Sequence, residues 1–309
     1  MLEKRAELIR IKESIKGTTK YAIVIPTFNR PDTLQNTLKS ALLQDYKEDY
    51  TIVIVDNNPN RGDDTELFME RIVDPRVSYY KNESNVGMVN NWNQCIIAAN
   101  SEWVVLVHDD DLLENGCLRI IDETIAENPD ADAVLPNYVQ KGNPFFKDKP
   151  IETPKKDYIL KSIIHRIIHR NYPIAANLFC DNIYGPPTCG LTLRKKEVIK
   201  FGGYTDRCIA ADWDFMSNFS RTHKVVKSKM QTGTYLWAIN ASLKEETMEQ
   251  IRKDRIAILK DIIEYSTISK IYYMILKKDF TKKFDSKTTE RVEFSILYKL
   301  IKRYYCLRV

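Results

Sequence analysis

Trp103-Val104-Val105-Leu106-Val107-His108-Asp109-Asp110-Asp111-Leu112-Leu113 sets three consecutive carboxylates directly after a five-residue apolar run. The run is rich in β-branched residues and holds neither Gly nor Pro, so it reads as a buried strand rather than a helix. The carboxylates then sit at a strand's C-terminal end, the edge of an open α/β sheet where ligands bind. Acidic groups packed this closely repel unless a proton or cation neutralises them, and a hard divalent metal with a phosphate-bearing substrate meets that need. The competing reading is a solvated loop or a helix N-terminus, where Asp favours the positive end of the dipole.

Outward from this stretch, short apolar runs alternate with helical patterns. Strands are expected at Tyr21–Ile25, Thr51–Val55, Val77–Tyr80, Trp103–Val107 and Ala133–Leu135, and helices at Asp32–Leu43, Asp63–Arg71, Met88–Ala99 and Leu118–Glu127. The alternation implies βαβ units: an α/β fold with a mostly parallel central sheet flanked by helices. From Asn137 to Ile183 the pattern dissolves into Pro, Lys and aromatic residues around a helix-like stretch at Tyr158–Arg170, as an insertion would. Tyr184-Gly185-Pro186-Pro187 ends it, followed by a strand at Cys189–Leu193, a helix at Lys195–Lys200, the turn Gly202-Gly203 and a helix at Ala211–Arg221. The expected organisation is an N-terminal helical segment at 1–20, a catalytic domain at 21–238 with an insertion at about 137–185, and a helical C-terminal extension at 239–309.

With 309 residues, 43% hydrophobic and 29% charged, the chain can bury one large or two small cores. No apolar stretch approaches the roughly 18 to 20 residues that span a bilayer, and the charged start Met1–Lys20 is unlike a signal peptide, so a cytoplasmic location is expected. The six cysteines, without any Cys-x-x-Cys pair, indicate neither a zinc cage nor a disulfide framework and read mostly as buried small residues. The net charge of +5 is uneven: residues 251–309 hold fifteen Lys and Arg against seven Asp and Glu, so the basic character belongs to the tail.

Two further strand ends share the acidic edge. The first, Ile25-Pro26-Thr27-Phe28-Asn29-Arg30-Pro31, closes a strand with Pro26, offers short polar groups at Thr27 and Asn29, and supplies Arg30 to pair with a phosphate. An ordinary turn capped by Asp32 explains the same residues. The second, Val55-Asp56-Asn57-Asn58, presents a carboxylate able to accept from a base N–H or ribose hydroxyl, or to form an Asx-turn. Neither Gly-x-Gly-x-x-Gly nor Gly-x-x-x-x-Gly-Lys is present, so side chains and a metal must hold the nucleotide. Asn85-Val86-Gly87 opens a helix carrying Asn90, Asn91 and Asn93, whose amides need partners, and several of them are expected to face the ligand cleft.

In this order, Ile-Pro-Thr-Phe-Asn-Arg at 25–30, Ile-Val-Asp-Asn at 54–57, Asn-Val-Gly at 85–87 and the acids at 109–111 resemble the family 2 glycosyltransferases of GT-A fold, over about Tyr21 to His223. The resemblance implies an inverting, metal-dependent transferase of the hexosyltransferase class, using a nucleotide-diphospho-sugar, most often a UDP-sugar, with Mn²⁺ or Mg²⁺ at an Asp-x-Asp motif. Carried over by position, Pro26, Thr27, Asn29, Arg30, Asn85, Gly87 and Asn90 would contact the nucleotide-sugar, and Asp56 would read uracil. His108 stands where many relatives have an acid, which leaves two registers. Asp110 belongs to the motif in both and is the principal metal ligand, Asp109 meets ribose or water, and Asp111 is either a second metal ligand or the cap of a following helix. Relatives place a general base shortly after a Gly-Gly turn, which aligns Asp212 with that role. Asp214 lies roughly 200° away around the same helix and reads as a helix-start carboxylate. Gly190, in the stretch from Tyr184, and Trp213 would line the acceptor side.

Other features carry less. His165 and His169 have the i, i+4 spacing of a metal pair without the Glu that would follow the first, and His223 reads first as a helix C-terminal partner and second as a metal candidate. Between Arg291 and Tyr305, Phe294, Leu297, Tyr298, Ile301, Tyr304 and Tyr305 recur at helical spacing among Lys299, Lys302 and Arg303. That face packs on the catalytic domain or a dimer partner, or docks peripherally on the inner face of the cell membrane near a lipid-linked acceptor. Nucleic-acid binding fits the charge and nothing else. The expected role is extension of a cell-surface polysaccharide by one sugar, on a glycan or lipid-linked acceptor. The alternatives are a sugar-1-phosphate nucleotidyltransferase, which would carry a Gly-rich basic loop after the first strand, and a non-catalytic sugar-nucleotide-binding scaffold, which would tolerate loss of Asp212.

Overall fold

The computed structural model describes residues 2–4, 6–142, 188–237, 245–285 and 293–306, the last five by backbone alone. These fall into two compact units. One draws on Met1–Pro144, Pro187–Asp206 and Lys224–Asn240, the other on Phe145–Pro186, Arg207–His223 and Ala241–Val309. His165, His169, Tyr184 and the insertion's helix-like stretch lie outside the described residues, as do the side chains of Cys180, Tyr304, Tyr305 and Cys306.

The first unit is built on an eight-stranded sheet, among the described residues, of order β1-β4-β3-β2-β5-β9-β7-β10. Its centre is parallel: β2 (Thr19–Thr27) lies between β3 (Tyr50–Asp56) and β5 (Ser101–Leu106), and β4 (Val77–Asn82) pairs with β3. Every residue of β3 is buried, as is all of β2 except Lys20, which is why these strands read as unbroken apolar runs instead of alternating ones. α1 (Pro31–Leu42), α2 (Asp64–Glu70), α3 (Met88–Ala98) and α4 (Cys117–Glu127) fall close to the expected helices. Leu34, Leu38, Ala41, Leu118, Ile121 and Ile125 pack with Tyr21, Ile23, Ile25, Trp103 and Val105 in one core. Beyond β5 the sheet turns mixed, with β9 (Leu191–Arg194) antiparallel to both β5 and β7 (Ala133–Leu135), and β10 (Val225–Lys227) parallel to β7. β6 (Leu112–Leu113), β8 (Tyr138–Lys141) and β11 (Gly233–Leu236) form a second, three-stranded sheet, and α5 (Lys195–Phe201) follows β9.

Two expectations are corrected. Among the described residues of 1–20 there is no helix: Leu8–Lys12 forms β1, an edge strand antiparallel to β4, because Ile9 and Ile11 alternate with Arg10 and Lys12 at period two. Finally α6 (Ala211–Phe219), read from sequence as part of the catalytic half, groups with the C-terminal helices.

The second unit comprises α6 with α7 (Glu245–Tyr265), α8 (Thr267–Ile275), α9 (Lys277–Asp285) and α10 (Ile296–Cys306). Asp254 of α7 is buried and accepts the backbone N–H groups of Ile209 (2.7 Å) and Ala210 (3.2 Å) ahead of α6. Phe280 is fully buried between Tyr273 and Tyr298, their ring centroids 5.8 and 5.6 Å away. Asp279 accepts from the Ser295 N–H and hydroxyl at the entry to α10. Tyr298 is therefore the buried face of that helix, whereas Leu297, expected beside it, points to solvent.

Candidate donor site at the strand ends

The C-terminal ends of β2, β3 and β5 meet at one edge. Thr27 and Asp56 are register partners, and Val107 N–H donates to Val24 O (3.1 Å), which carries His108–Asp111 over the end of β2. Thr27 Oγ1 donates to Asp109 Oδ2 (2.7 Å), and Arg30 Nη1 reaches Asp110 Oδ2 (2.9 Å) and Asp109 Oδ1 (3.4 Å). Arg30 thus places a positive charge among the carboxylates at the position expected of a phosphate binder. Burial pushes the Asp109 carboxyl up to about 6 against the opposing Thr27 hydrogen bond.

Asp111 is fully buried. Thr37 Oγ1 of α1 holds its carbonyl (2.7 Å) and Leu236 N–H of β11 donates to its Oδ1 (3.0 Å), while Oδ2 has no hydrogen-bond partner. Burial and the Asp110 charge hold this carboxyl well above the ordinary range. The expected alternative of a helix cap is corrected, because strand β6 follows it. His108 stacks on Trp92 with centroids 4.9 Å apart, and its buried Nε2 is also without a partner. Burial pushes this imidazole down to about 4, so it is neutral near pH 7 and offers a lone pair. Ligand atoms of His108, Asp110 and Asp111 all lie within 4.8 Å of one another. Two orphaned buried atoms beside a third carboxylate oxygen fit a divalent cation, with mixed nitrogen and oxygen donors. Sequence reasoning had named Asp110 and Asp111 as candidate ligands. It had no role for His108, which only the fold turns inward.

Asp56 is wholly buried, with Oδ1 accepting from Asn58 N–H (2.9 Å) and Oδ2 from Tyr79 OH (2.8 Å) and Lys81 Nζ (3.1 Å). Burial nonetheless raises its carboxyl above the ordinary range. Lys81, also fully buried, further pairs with Asp63 (2.7 Å) and Glu66 (3.7 Å). Sequence reasoning missed this lysine; its one signal is the period-two position shared with Tyr79 on a buried strand.

The asparagines expected to face the ligand mostly brace the framework instead. Asn58 Nδ2 donates to Asn29 Oδ1 (2.7 Å), Asn57 Nδ2 to Asn85 Oδ1 (2.8 Å), and Asn82 Nδ2 to both Asn57 Oδ1 (3.0 Å) and Asn91 Oδ1 (2.8 Å). Asn91 Nδ2 in turn donates to Val55 O (3.1 Å). Asn29 adopts a left-handed φ of 55°, a conformation Asn tolerates better than most residues. Gly87 at φ 82° precedes α3, whose first turn Asn90 ties back to Val86 O (3.0 Å). Asn93 clasps the backbone of Tyr204 from both sides, donating to its carbonyl and accepting from its N–H, each at 2.8 Å. Pro26 is buried within β2, and Gly190, at φ 97°, donates its N–H to Leu106 O (2.9 Å).

In the second unit, Asp212 sits in the first turn of α6, partly buried, with Oδ1 accepting from Trp213 N–H (2.9 Å). Burial pushes its carboxyl up to about 6, against the backbone hydrogen bonds and the Arg255 charge. Asp214 is buried and held by Arg207 and Asn218. Trp213 lies beneath the Arg255 guanidinium, 4.3 Å from its centroid. His223 stacks on Phe219 at 4.0 Å beyond the helix end.

The family model for glycosyl transferase family 2 matches residues 22–199, more than half of the chain, and the chain belongs to that family. It is 34% identical over 105 residues to a GalNAc(5)-diNAcBac-PP-undecaprenol beta-1,3-glucosyltransferase of Campylobacter jejuni, covering 33% of each chain. It is 26% identical over 199 residues to a poly-beta-1,6-N-acetyl-D-glucosamine synthase of Staphylococcus epidermidis, covering 64% of this chain and 45% of the relative. The chain thus spans a third to under half of the length of these curated relatives. Among solved structures it is similar to S. aureus TarS 1-349 in complex with UDP-GlcNAc, with a TM-score of 0.56 at 18% identity over 79% of this chain and 71% of that one. It is also similar to the mannosyltransferase PcManGT of Pyrobaculum calidifontis in complex with GDP-Man and Mn2+, with a TM-score of 0.52 at 11% identity over 94% and 85%. These likenesses show the fold, which is GT-A.

Proposed function

We propose that this chain moves one sugar, with inversion, from a UDP-sugar to a hydroxyl of a glycan or lipid-linked acceptor during cell-surface polysaccharide synthesis. The observation that carries the reading is the His108, Asp110 and Asp111 cluster, with its two orphaned buried atoms, set beside Arg30 at the strand ends. His108, Asp110 and Asp111 would hold Mn²⁺ or Mg²⁺, which when bound supplies positive charge to the departing diphosphate. Arg30, one-third exposed, neutralises Asp110 and Asp109 and offers the same guanidinium to phosphate oxygens. Thr27, Asn29, Asn85, Gly87 and Asn90 contribute to the nucleotide side. Asp56, anchored by Tyr79 and Lys81 at the end of β3, is assigned the nucleotide base.

Asp212 is assigned the proton of the acceptor hydroxyl. Its raised affinity for a proton suits a base working near neutral pH, and a single displacement requires no covalent nucleophile. Gly190 and Trp213 are assigned to the acceptor side. A panel of nucleotide-sugars with Mn²⁺ and candidate acceptors, read as nucleotide released, tests the proposal. Turnover restricted to UDP-sugars and lost in Asp212→Asn is expected, whereas no turnover combined with no thermal shift by UDP would leave a scaffold.

A further inference from the structure

The helices of the second unit expose apolar side chains that their own core does not use. On α8, Ile271, Met274 and Ile275 are 45%, 68% and 61% exposed, and their i, i+3, i+4 spacing places them on one face. The opposite side of the helix supplies Ser269, fully buried, and Tyr273 against Phe280. On α10, Ile296, Leu297 and Leu300 are 77%, 48% and 60% exposed, while Tyr298 fills the core. Isolated exposed apolar residues are ordinary, but each of these short helices exposes three large ones within five consecutive positions, more than scattered exposure leaves.

The charges beside them narrow the partner. Lys270, Lys277 and Lys278 adjoin the α8 face in sequence and Lys299 lies within the α10 stretch, all exposed; among the described residues from 261 onward the exposed acids are Asp261, Glu264, Asp285 and Glu293. Residues 251–309 carry a net +8 in sequence. A second copy presenting the same face would bring like charges together, and a nucleic acid would leave the isoleucines and leucines unused. A surface that is anionic outside and apolar just beneath satisfies both kinds of side chain. Among the described residues no helix is long and apolar enough to cross a membrane, so the contact lies along the surface.

We propose that the C-terminal helices dock on an anionic lipid bilayer, with Ile271, Met274, Ile275, Ile296, Leu297 and Leu300 entering the headgroup boundary and the neighbouring lysines meeting acidic headgroups. The proposal stands independently of the donor reading, since it uses none of the strand-end residues. The test is co-sedimentation of the full chain with vesicles of phosphatidylcholine alone and of phosphatidylcholine with about a third phosphatidylglycerol. Binding is expected for the anionic vesicles only, reversed by salt as the screening length shrinks. Lys277→Ala with Lys278→Ala should weaken partitioning by about 30-fold, at about fivefold per lysine near an anionic surface. Ile271→Glu with Met274→Glu, and separately Leu297→Glu with Leu300→Glu, should weaken it at least as much while leaving circular dichroism and the thermal midpoint in place, because none of these side chains is buried. Equal binding to both vesicle types, no binding to either, or unchanged binding by all three double variants overturns it. A concentration-dependent dimer abolished by Ile271→Glu, without vesicle binding, reassigns the face to a second copy.

Discussion

On the proposed reading, an imidazole in place of an acid at the first position of the His108, Asp110 and Asp111 cluster would change which ions the site favours. Nitrogen donors bind later transition ions better than Mg²⁺, whereas carboxylates are content with either. His108→Asp should therefore narrow the preference for Mn²⁺ over Mg²⁺ by about tenfold, the factor that about 1.4 kcal/mol supplies. Titration of Mn²⁺ alone, followed by its electron paramagnetic resonance signal and by competition with Mg²⁺, measures this; an unchanged ratio removes His108 from the ligand set. At Asp212 the sign is set by its raised carboxyl, about 6 in the folded chain. With Asp212 as the proposed base, protonation as pH falls removes it, so kcat/KM should drop tenfold per pH unit below about 6 and level off above it. By the same linkage Asp212 binds its proton more tightly folded than unfolded, so its contribution to stability declines as pH rises from about 4 to about 6. Asp212→Asn should remove the acidic limb and lower the rate by about 10² to 10⁴. Family spacing is what singled out Thr27, Arg30, Asp110 and Asp212 in the sequence, and the structure brings Thr27, Arg30 and Asp110 to one sheet edge. The environments of Asp56 and Lys81 were not legible there, because pairing across β3 and β4 is a matter of register that no local motif encodes.

Among the elements, Asn93 and Gly233 make the most demanding contacts. Asn93→Ala removes both hydrogen bonds to the Tyr204 backbone and should cost about 1–3 kcal/mol, read as a shift in denaturant midpoint at unchanged slope. Gly233 on β11 leaves no room: an added Cβ would sit 2.3 Å from the Cys189 carbonyl, so Gly233→Ala must push the loop before β9 away from the three-stranded sheet. A loss of stability larger than that of Asn93→Ala is expected in the same assay. Both contacts are invisible to pattern reading. β2, β3 and β5 were legible because strands buried on both faces leave long apolar runs. β6, β8, β10 and β11 run from two to four residues, too short to establish a period, and the charged residues of β1 looked helical until its pairing with β4 exposed the alternation.

At the scale of the molecule, the sequence located the α/β half and the basic helical tail, while the passage of α6 into the helical unit carried no composition signal. A ligand that binds only the folded state stabilises the unit that holds it. UDP with Mn²⁺ at about a hundred times its dissociation constant should add about 2.7 kcal/mol and raise the melting temperature by a few degrees. GDP should do less, and an equal shift by both would argue against uracil selection. The linked amides of Asn29, Asn57, Asn58, Asn82, Asn85 and Asn91 give this architecture a particular tolerance. Amides neither gain nor lose protons anywhere in the working range, and their mutual hydrogen bonds, unlike surface ion pairs, are little affected by dissolved salt. The strand ends of the first unit therefore keep their form while His108 and the carboxylates beside it change state. On the proposed reading, acidity and ionic strength then act on the chemistry without remaking the framework that carries it.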